Sequence, residues 1–354
     1  MVRESVAGHS THQVELKFEY SPNFPVILEQ LHSSLLISTY QAGQLISVGT
    51  QNGQLVFSFS QFEQAMGIAV SPSKIAVATK RQIWFLKSAT ELAAQVAPPG
   101  KYDNCFLARG CHHTGSILGH ELIWARDELW IVNTLFSCLC TLSAEFNFVP
   151  RWRPPFISKL AAEDRCHLNG VCMKDGQPAY VTVLAESDGP NGWRSADSNA
   201  GAVIECASGQ TIARGLHMPH SPRWHDGKLW LLDSGCGQLI HVDPMSAEKS
   251  VVVTLDGYTR GLALHGDYAF VGLSRIRESA VFGRVPISSR QSDLKCGVNI
   301  VDVARGEIIA NLDFHSGVQE IFDVQLLTNS KCPYLSGPLA DADGKSEVWL
   351  VPTQ

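Results

Sequence analysis

The chain has 354 residues, 45% hydrophobic and 18% charged, and a formal net charge of −6. That balance, with no basic run longer than a few residues, argues against nucleic acid as the main partner. No stretch approaches the roughly 18 apolar residues of a membrane helix, and no apolar signal segment follows Met1 to Ser5, so a soluble, cytoplasmic protein with no membrane association is expected. The ten cysteines form no C-x-x-C, and Cys138, Cys140, Cys172 and Cys206 sit in apolar strand patterns, which predicts buried reduced thiols.

Residues 1–20 are polar and mixed and predict a loose or edge-lying arm, flexible and outside the single domain expected over 21–354. Strand signals begin at Leu35–Thr39, Gln44–Val48 and Leu55–Phe59, separated by the Gly-containing turns Gln41-Ala42-Gly43 and Gln51-Asn52-Gly53. A recurring register then appears, X-Gly-φ-x-φ, where φ is apolar and X precedes an inner strand. Its six copies begin at Met66, His120, Asn169, His220, Arg260 and Phe322, roughly 50 residues apart, in the class of blade-like repeats. Each unit reads as four strands; the fourth gives His220–His225, Lys228–Asp233, Gln238–Val242 and Ser250–Leu255, with Asp226-Gly227 as its first turn. Helix is confined to a few turns near Ser158–Asp164.

Three strands precede the first register, and after the last only Glu347–Val351 reads as strand. The fold class expected is therefore all-β, a six-bladed β-propeller closed by N-terminal strands that complete the C-terminal blade. Closure also removes exposed sheet edges. Four irregular stretches fall on one predicted face: Cys105 to Gly119, Pro150 to His167, Leu184 to Ala200 and Arg275 to Lys295. Long irregular loops in a compact repeat fold are usually functional or disordered; crowding on one face favours function, and the last two are candidate lids.

By register the X residues point to the axis, with His167 and Glu320 slightly above them. His120, His167 and His220 form a plausible ligand set for a divalent metal, where imidazole suits zinc, iron or copper better than calcium. Such a metal would polarise a substrate oxygen or activate water. Arg260 would clamp a substrate anion, and Glu320 or His113 would act as acid or base. Asn169, Asp233, Arg275 and the loop residues Trp152, Arg153 and Phe156 are candidates for binding substrate. Two blander readings stand beside this one: a metal-free ligand site, and a structural polar ring whose groups satisfy one another. No G-x-S-x-G elbow, P-loop or dinucleotide fingerprint is present, so no nucleotide cofactor is expected.

The blocks Asn133–Leu139, Phe148–Ser158, Glu163–Gly170 and Met218–Trp224 resemble the signatures of a bacterial propeller family of conserved hypothetical proteins, some fused to tetratricopeptide repeats. The resemblance runs from about Leu35 to the end and implies a propeller without a reaction. More distantly, the chain is similar to the gluconolactonase, paraoxonase and strictosidine-synthase group. The first two of these bind a metal at the channel mouth through Glu, Asn and Asp. Here Asn169 and Asp233 fall in comparable places. Histidines at neighbouring positions, and no acid before Gly67, depart from that pattern and favour a softer metal or none.

The leading expectation is thus a small-molecule or peptide tailoring enzyme with a metal-assisted hydrolase, lyase or isomerase step at the channel mouth. The alternatives are a non-catalytic propeller scaffold that binds a peptide, sugar or protein partner, and a copper- or iron-dependent oxidoreductase.

Overall fold

Turn dipeptides set the hairpins. Asn52-Gly53, Asp175-Gly176 and Asp226-Gly227 each place both residues at positive φ, between +48° and +75°, the two-residue geometry that matches the twist of the flanking strands. Cross-strand partners follow directly, as in Gln51 opposite Gln54 and His225 opposite Lys228.

The computed structural model describes residues 2–6, 16–275 and 284–352, which form a six-bladed β-propeller. The inner strands of blades one to six are Ile68–Ser71, Gly119–Ala125, Leu168–Lys174, Pro219–His225, Tyr258–His265 and Asp323–Thr328. Blade four follows the expected order, with Lys228–Asp233, Gln238–Val242 and Lys249–Thr254 outside its inner strand. Blade six is shared between the two ends of the chain: Asp323–Thr328 pairs with Ser33–Thr39, which continues to Gln44–Gln51 and Gln54–Gln61. The apolar cores lie between blades. Val132 and Leu139 of blade two, for example, meet Val171, Val181 and Ile204 of blade three.

Leu16–Tyr20 takes the edge-lying option, pairing with Glu307–Phe314 on the outside of blade five and burying Leu16, Phe18 and Tyr20. Val2–Val6 pairs with it in turn, so the folded unit begins before residue 21. Three other expectations change. Ser158–Asp164 is irregular, and the α-helix among the described residues is Asn23–Gln30, where Phe24, Ile27 and Leu28 share a buried face. Asn104–His113, expected as part of an entry loop, is the outer strand of blade one and pairs in parallel with Pro333–Ser336. Glu347–Val351 forms no strand. The preceding segment covers the edge of blade six with side chains instead: Lys345 Nζ bonds Ser58 Oγ, Ser60 Oγ and the Leu335 carbonyl at 2.8–3.3 Å, and Asp343 accepts the Gln61 N–H.

The blades are fastened at the channel by an alternation immediately after the X positions. Glu121, Ser221 and Asp323 of blades two, four and six accept the Val171, Gly261 and Ile68 backbone N–H groups at 2.8, 3.3 and 2.9 Å. The receiving blades carry Gly67, Gly170 and Gly261 at that position. A Cβ on Gly170 would lie 2.4 Å from Pro222 Cδ, and one on Gly261 2.4 Å from the Val324 nitrogen, so any side chain would force the blades apart. Arg223 completes the arrangement: its guanidinium pairs with Glu121 and bonds the Leu262 and Pro222 carbonyls at 2.9 Å. Burial pushes the Glu121 carboxyl up to about 7, with Arg223 opposing the shift and Asp323 adding to it. Asp323 is raised by burial as well, again against Arg223.

Replacing Arg223 by Met would leave two buried carboxyls without their cation, at a cost of about 3–5 kcal/mol. Carboxyls raised above their unfolded pKa favour the folded state when protonated, so that contribution is lost as pH rises. Urea unfolding should therefore show a larger deficit for Arg223→Met at pH 8 than at pH 5; equal deficits would contradict this account.

Candidate active site

Five of the six X side chains, Met66, His120, His220, Arg260 and Phe322, line a cavity of about 510 Å³ at the mouth of the channel. Asn169 sits one step deeper. With His120, His220 and Arg260 it borders a chamber of about 10 Å³, room for roughly one water. Its Oδ1 accepts the Thr182 hydroxyl at 2.6 Å, whereas its buried Nδ2 has no partner among the described residues.

Local backbone orients the histidines. Leu118 and Met218, two residues before His120 and His220, have φ of +53° and +54°. Their carbonyls lie 3.1 and 2.8 Å from the Nδ1 of the following histidine. A carbonyl can only accept, so Nδ1 carries the proton in both rings and Nε2 keeps its lone pair. A hydroxyl fourteen residues later reinforces each ring: Thr134 Oγ1 lies 2.8 Å from His120 Nδ1, and Ser234 Oγ 3.0 Å from His220 Nδ1. The Thr134 proton goes to the Leu168 carbonyl at 2.5 Å, which leaves its oxygen as the acceptor from His120.

His167 occupies the left-handed position itself in blade three, at φ +49°. Its Nδ1 lies 3.0 Å from Asp164 Oδ2, which also accepts the Trp193 indole N–H at 2.9 Å. The His167 ring meets His120 edge-on at 4.7 Å and Trp193 at 4.3 Å. Three imidazoles from three blades are thus each tied through Nδ1 at one cavity.

Burial drives the pKa of His120 and His220 well below the ordinary histidine value, and the charges of Arg260 and His167 push the same way. Both rings are neutral at physiological pH. Arg260 stacks on Phe322 with its guanidinium carbon 3.6 Å from the ring centre and faces Glu320 at 3.8 Å. Arg194 and Arg275 join it in the wall, against the carboxylates of Asp164 and Glu320. Since Asp164 is engaged by His167 and Trp193, the cavity leans towards accepting an anion.

The structure distributes the remaining sequence candidates as follows. Glu320 and Arg275 line the cavity. His113 lies on the outer strand of blade one, where its carbonyl accepts the Asn147 amide. Trp152 ends the outer strand of blade two and, with Phe156, packs against the core shared with blade three; its indole bonds the Cys206 carbonyl at 2.9 Å. Arg153 is exposed beside it. All four are displaced for one reason: the fourth strand of a blade is the farthest from the axis, so loops leaving it start at the rim. Asp233 turns away from the cavity wall, with its Oδ1 accepting the His217 N–H at 2.6 Å. His120, His167 and His220 do not bring three donor atoms within 4.8 Å of one another; among the described residues only His217, Asp233 and Cys236 do.

Sequence reasoning missed Thr134 and Ser234, although the shared fourteen-residue offset from each histidine could have revealed them. It also took the stretch Leu184 to Ala200 for a candidate lid. Trp193 is instead buried with Leu184, Met218, Tyr258 and Ile287, so 184–200 and 284–294 pack together as wall; residues 276–283 of the second candidate lid lie outside the described residues. The cysteines match expectation, with all ten free and eight buried.

Nitrogen-15 NMR of the imidazoles should find His120 and His220 neutral and protonated at Nδ1 at pH 6. Their depressed pKa values also mean that protons bind the unfolded chain first, so stability should fall as pH drops through about 6.5. Detection of imidazolium at both sites at pH 6 would overturn the assignment.

No curated protein matches the chain. Among solved structures, a protein of unknown function from Bacteroides caccae aligns with a TM-score of 0.52 at 10% identity, covering 83% of this chain and 98% of that one. This shows a shared fold. The calcium-binding protein regucalcin from Agrobacterium tumefaciens strain C58 aligns at 14% identity and TM-score 0.45, covering 70% and 73% of the two chains. Virginiamycin B lyase from Staphylococcus aureus aligns at 10% and 0.41, covering 68% and 76%. No helix is long and apolar enough to cross a membrane among the described residues. Residues 22–335, nearly the whole propeller, match one family model, and the chain belongs to that family, the domain of unknown function DUF4915.

Proposed function

We propose that the channel mouth is the active site of an enzyme acting on a small anionic molecule or the carboxylate end of a peptide, in a hydrolase- or lyase-type step. The observation that carries this reading is the anchoring of His120, His167 and His220 through Nδ1 around one cavity. An imidazole held neutral, with its Nε2 lone pair presented, is a general base ready at physiological pH. Arg260, made rigid by Phe322, supplies the planar fork that holds a carboxylate. His120 or His220 would take a proton from substrate or from a water in the chamber below, where the Asn169 amide has a free donor. The imidazolium formed in that step would then return the proton to the leaving group.

The same anchoring suits a metal-assisted reading, because ligating histidines commonly donate the other ring N–H to a carbonyl or carboxylate. The Asp164–His167 pair favours it specifically. Zinc, iron or copper would then bind through Nε2, after the rings draw closer together than they stand here.

In a turnover screen over carboxylates and lactones, His120→Ala and His220→Ala should each lose at least about 100-fold in kcat/KM with little change in melting temperature. Arg260→Met should mainly raise KM for anionic substrates. Because the two bases are neutral far below the usual histidine range, wild-type kcat/KM should stay flat from pH 8 to pH 6 and decline only at lower pH. Full turnover in both histidine variants would end the catalytic reading. Metal analysis of wild type and the triple alanine variant separates the two chemistries.

A further inference from the structure

Outside the cavity, blade four carries a second constellation built from three different donors. His217 lies just before the inner strand, Asp233 ends the second strand, and Cys236 closes the short turn Ser234–Cys236. His217 Nδ1 stands 3.4 Å from Cys236 Sγ and 3.9 Å from Asp233 Oδ2, and one donor atom from each residue lies within 4.8 Å of the others. We propose that these side chains form a binding site for a thiophilic divalent cation, zinc above others, which pins the wall of the propeller that bears His220.

The spacing fits the ion. With Zn–N about 2.0 Å and Zn–S about 2.3 Å at tetrahedral angles, the N···S edge is about 3.5 Å. The arrangement does not fit a nucleophilic triad, which needs thiol and carboxylate on opposite ring nitrogens. Here both meet the same Nδ1, as groups sharing one central ion do. Asp233 is held in place to ligate: its Oδ1 accepts the His217 N–H at 2.6 Å and its carboxylate also bonds the Cys236 thiol, whose proton a metal would displace, in the manner of outer contacts that fix ligating carboxylates. Gly235 permits the approach, since a Cβ there would lie 2.8 Å from His217 Cβ and drive the turn away from the imidazole. A thiolate in the set disfavours calcium and magnesium, which take oxygen ligands. Three protein ligands leave a fourth position for water. On binding, the Cys236 thiol gives its proton to solvent and its sulfur forms the bond to the metal.

The consequence reaches the cavity. Met218, whose carbonyl holds His220 Nδ1, follows His217 in the chain, and Ser234, whose hydroxyl reinforces it, lies between Asp233 and Cys236. A metal here would therefore clamp both groups that orient His220.

Titration of chelator-treated protein with cobalt(II) tests the site, because a thiolate ligand gives a near-ultraviolet charge-transfer band that the all-histidine cavity cannot produce. Wild type should develop this band with one equivalent of cobalt and tetrahedral visible absorption. Cys236→Ser should abolish it, and His217→Ala should weaken binding at least tenfold. His120→Ala/His167→Ala should retain it, so failure here and failure of the cavity chemistry are read separately. Should Cys236→Ser fold poorly, iodoacetamide labelling of wild type replaces it: zinc should protect Cys236 while exposed Cys111 reacts regardless. No band in wild type, a band surviving in Cys236→Ser, or labelling of Cys236 unaffected by zinc would each overturn the proposal.

Discussion

Everything at the mouth of this channel rests on how closely the inner strands approach one another. Around the axis, a side-chain acceptor on every second blade reaches a backbone N–H on the next, and that receiving blade carries glycine, which lets it close on the blade after it. A buried backbone donor without a partner is costly, so each of these contacts is a positional constraint as much as a stabilising one. Two of the three acceptors are carboxylates, and their burial is tolerable because Arg223 pairs with one and lies near the other. Breaking such a buried set costs more than making it contributes. Its value lies in specificity: the charged hub admits one relative placement of blades two, four and six.

The cavity inherits that rigidity. Each X side chain sits one residue before the interlocked position, so its Cα is fixed by the ring beneath it. Blades two and four then repeat one device: a left-handed residue, a histidine two places on, and a hydroxyl fourteen places later. Blade three varies it by moving the histidine to the left-handed position and supplying a carboxylate, Asp164, in place of the carbonyl. The rings are set before any ligand arrives, the preorganisation a reacting site requires. The walls come from elsewhere in the chain, through insertions whose apolar residues, Trp193, Val285 and Ile287, pack onto Met218 and Tyr258.

Much of the architecture was legible in the residues. Repeated strand-turn-strand units, Gly-containing dipeptides and an unpaired N-terminal triplet of strands determine a six-bladed ring closed across its ends, because periodicity and turn chemistry are local properties that survive without coordinates. The register also gave the axial placement of His120, Asn169, His220 and Arg260. It failed at the rim. Trp152, Phe156 and His113 sit in or beside loops of the expected kind, but the radial distance of a strand is set by its rank in the blade, which their immediate sequence does not state.

Tertiary structure alone decided three things. It showed that Glu121, Ser221 and Asp323, which break the glycine register, are its complement, because each bonds a blade about 40 or more residues away in the chain. It turned Asp233 from the cavity to His217, since a side chain at a strand end goes to its nearest backbone donor rather than to the axis. And it fixed the tautomers of the histidines, which depend on carbonyls and hydroxyls that only folding brings to Nδ1. Composition and period determine which fold forms; the partners of individual polar atoms depend on contacts made at ångström range across blades.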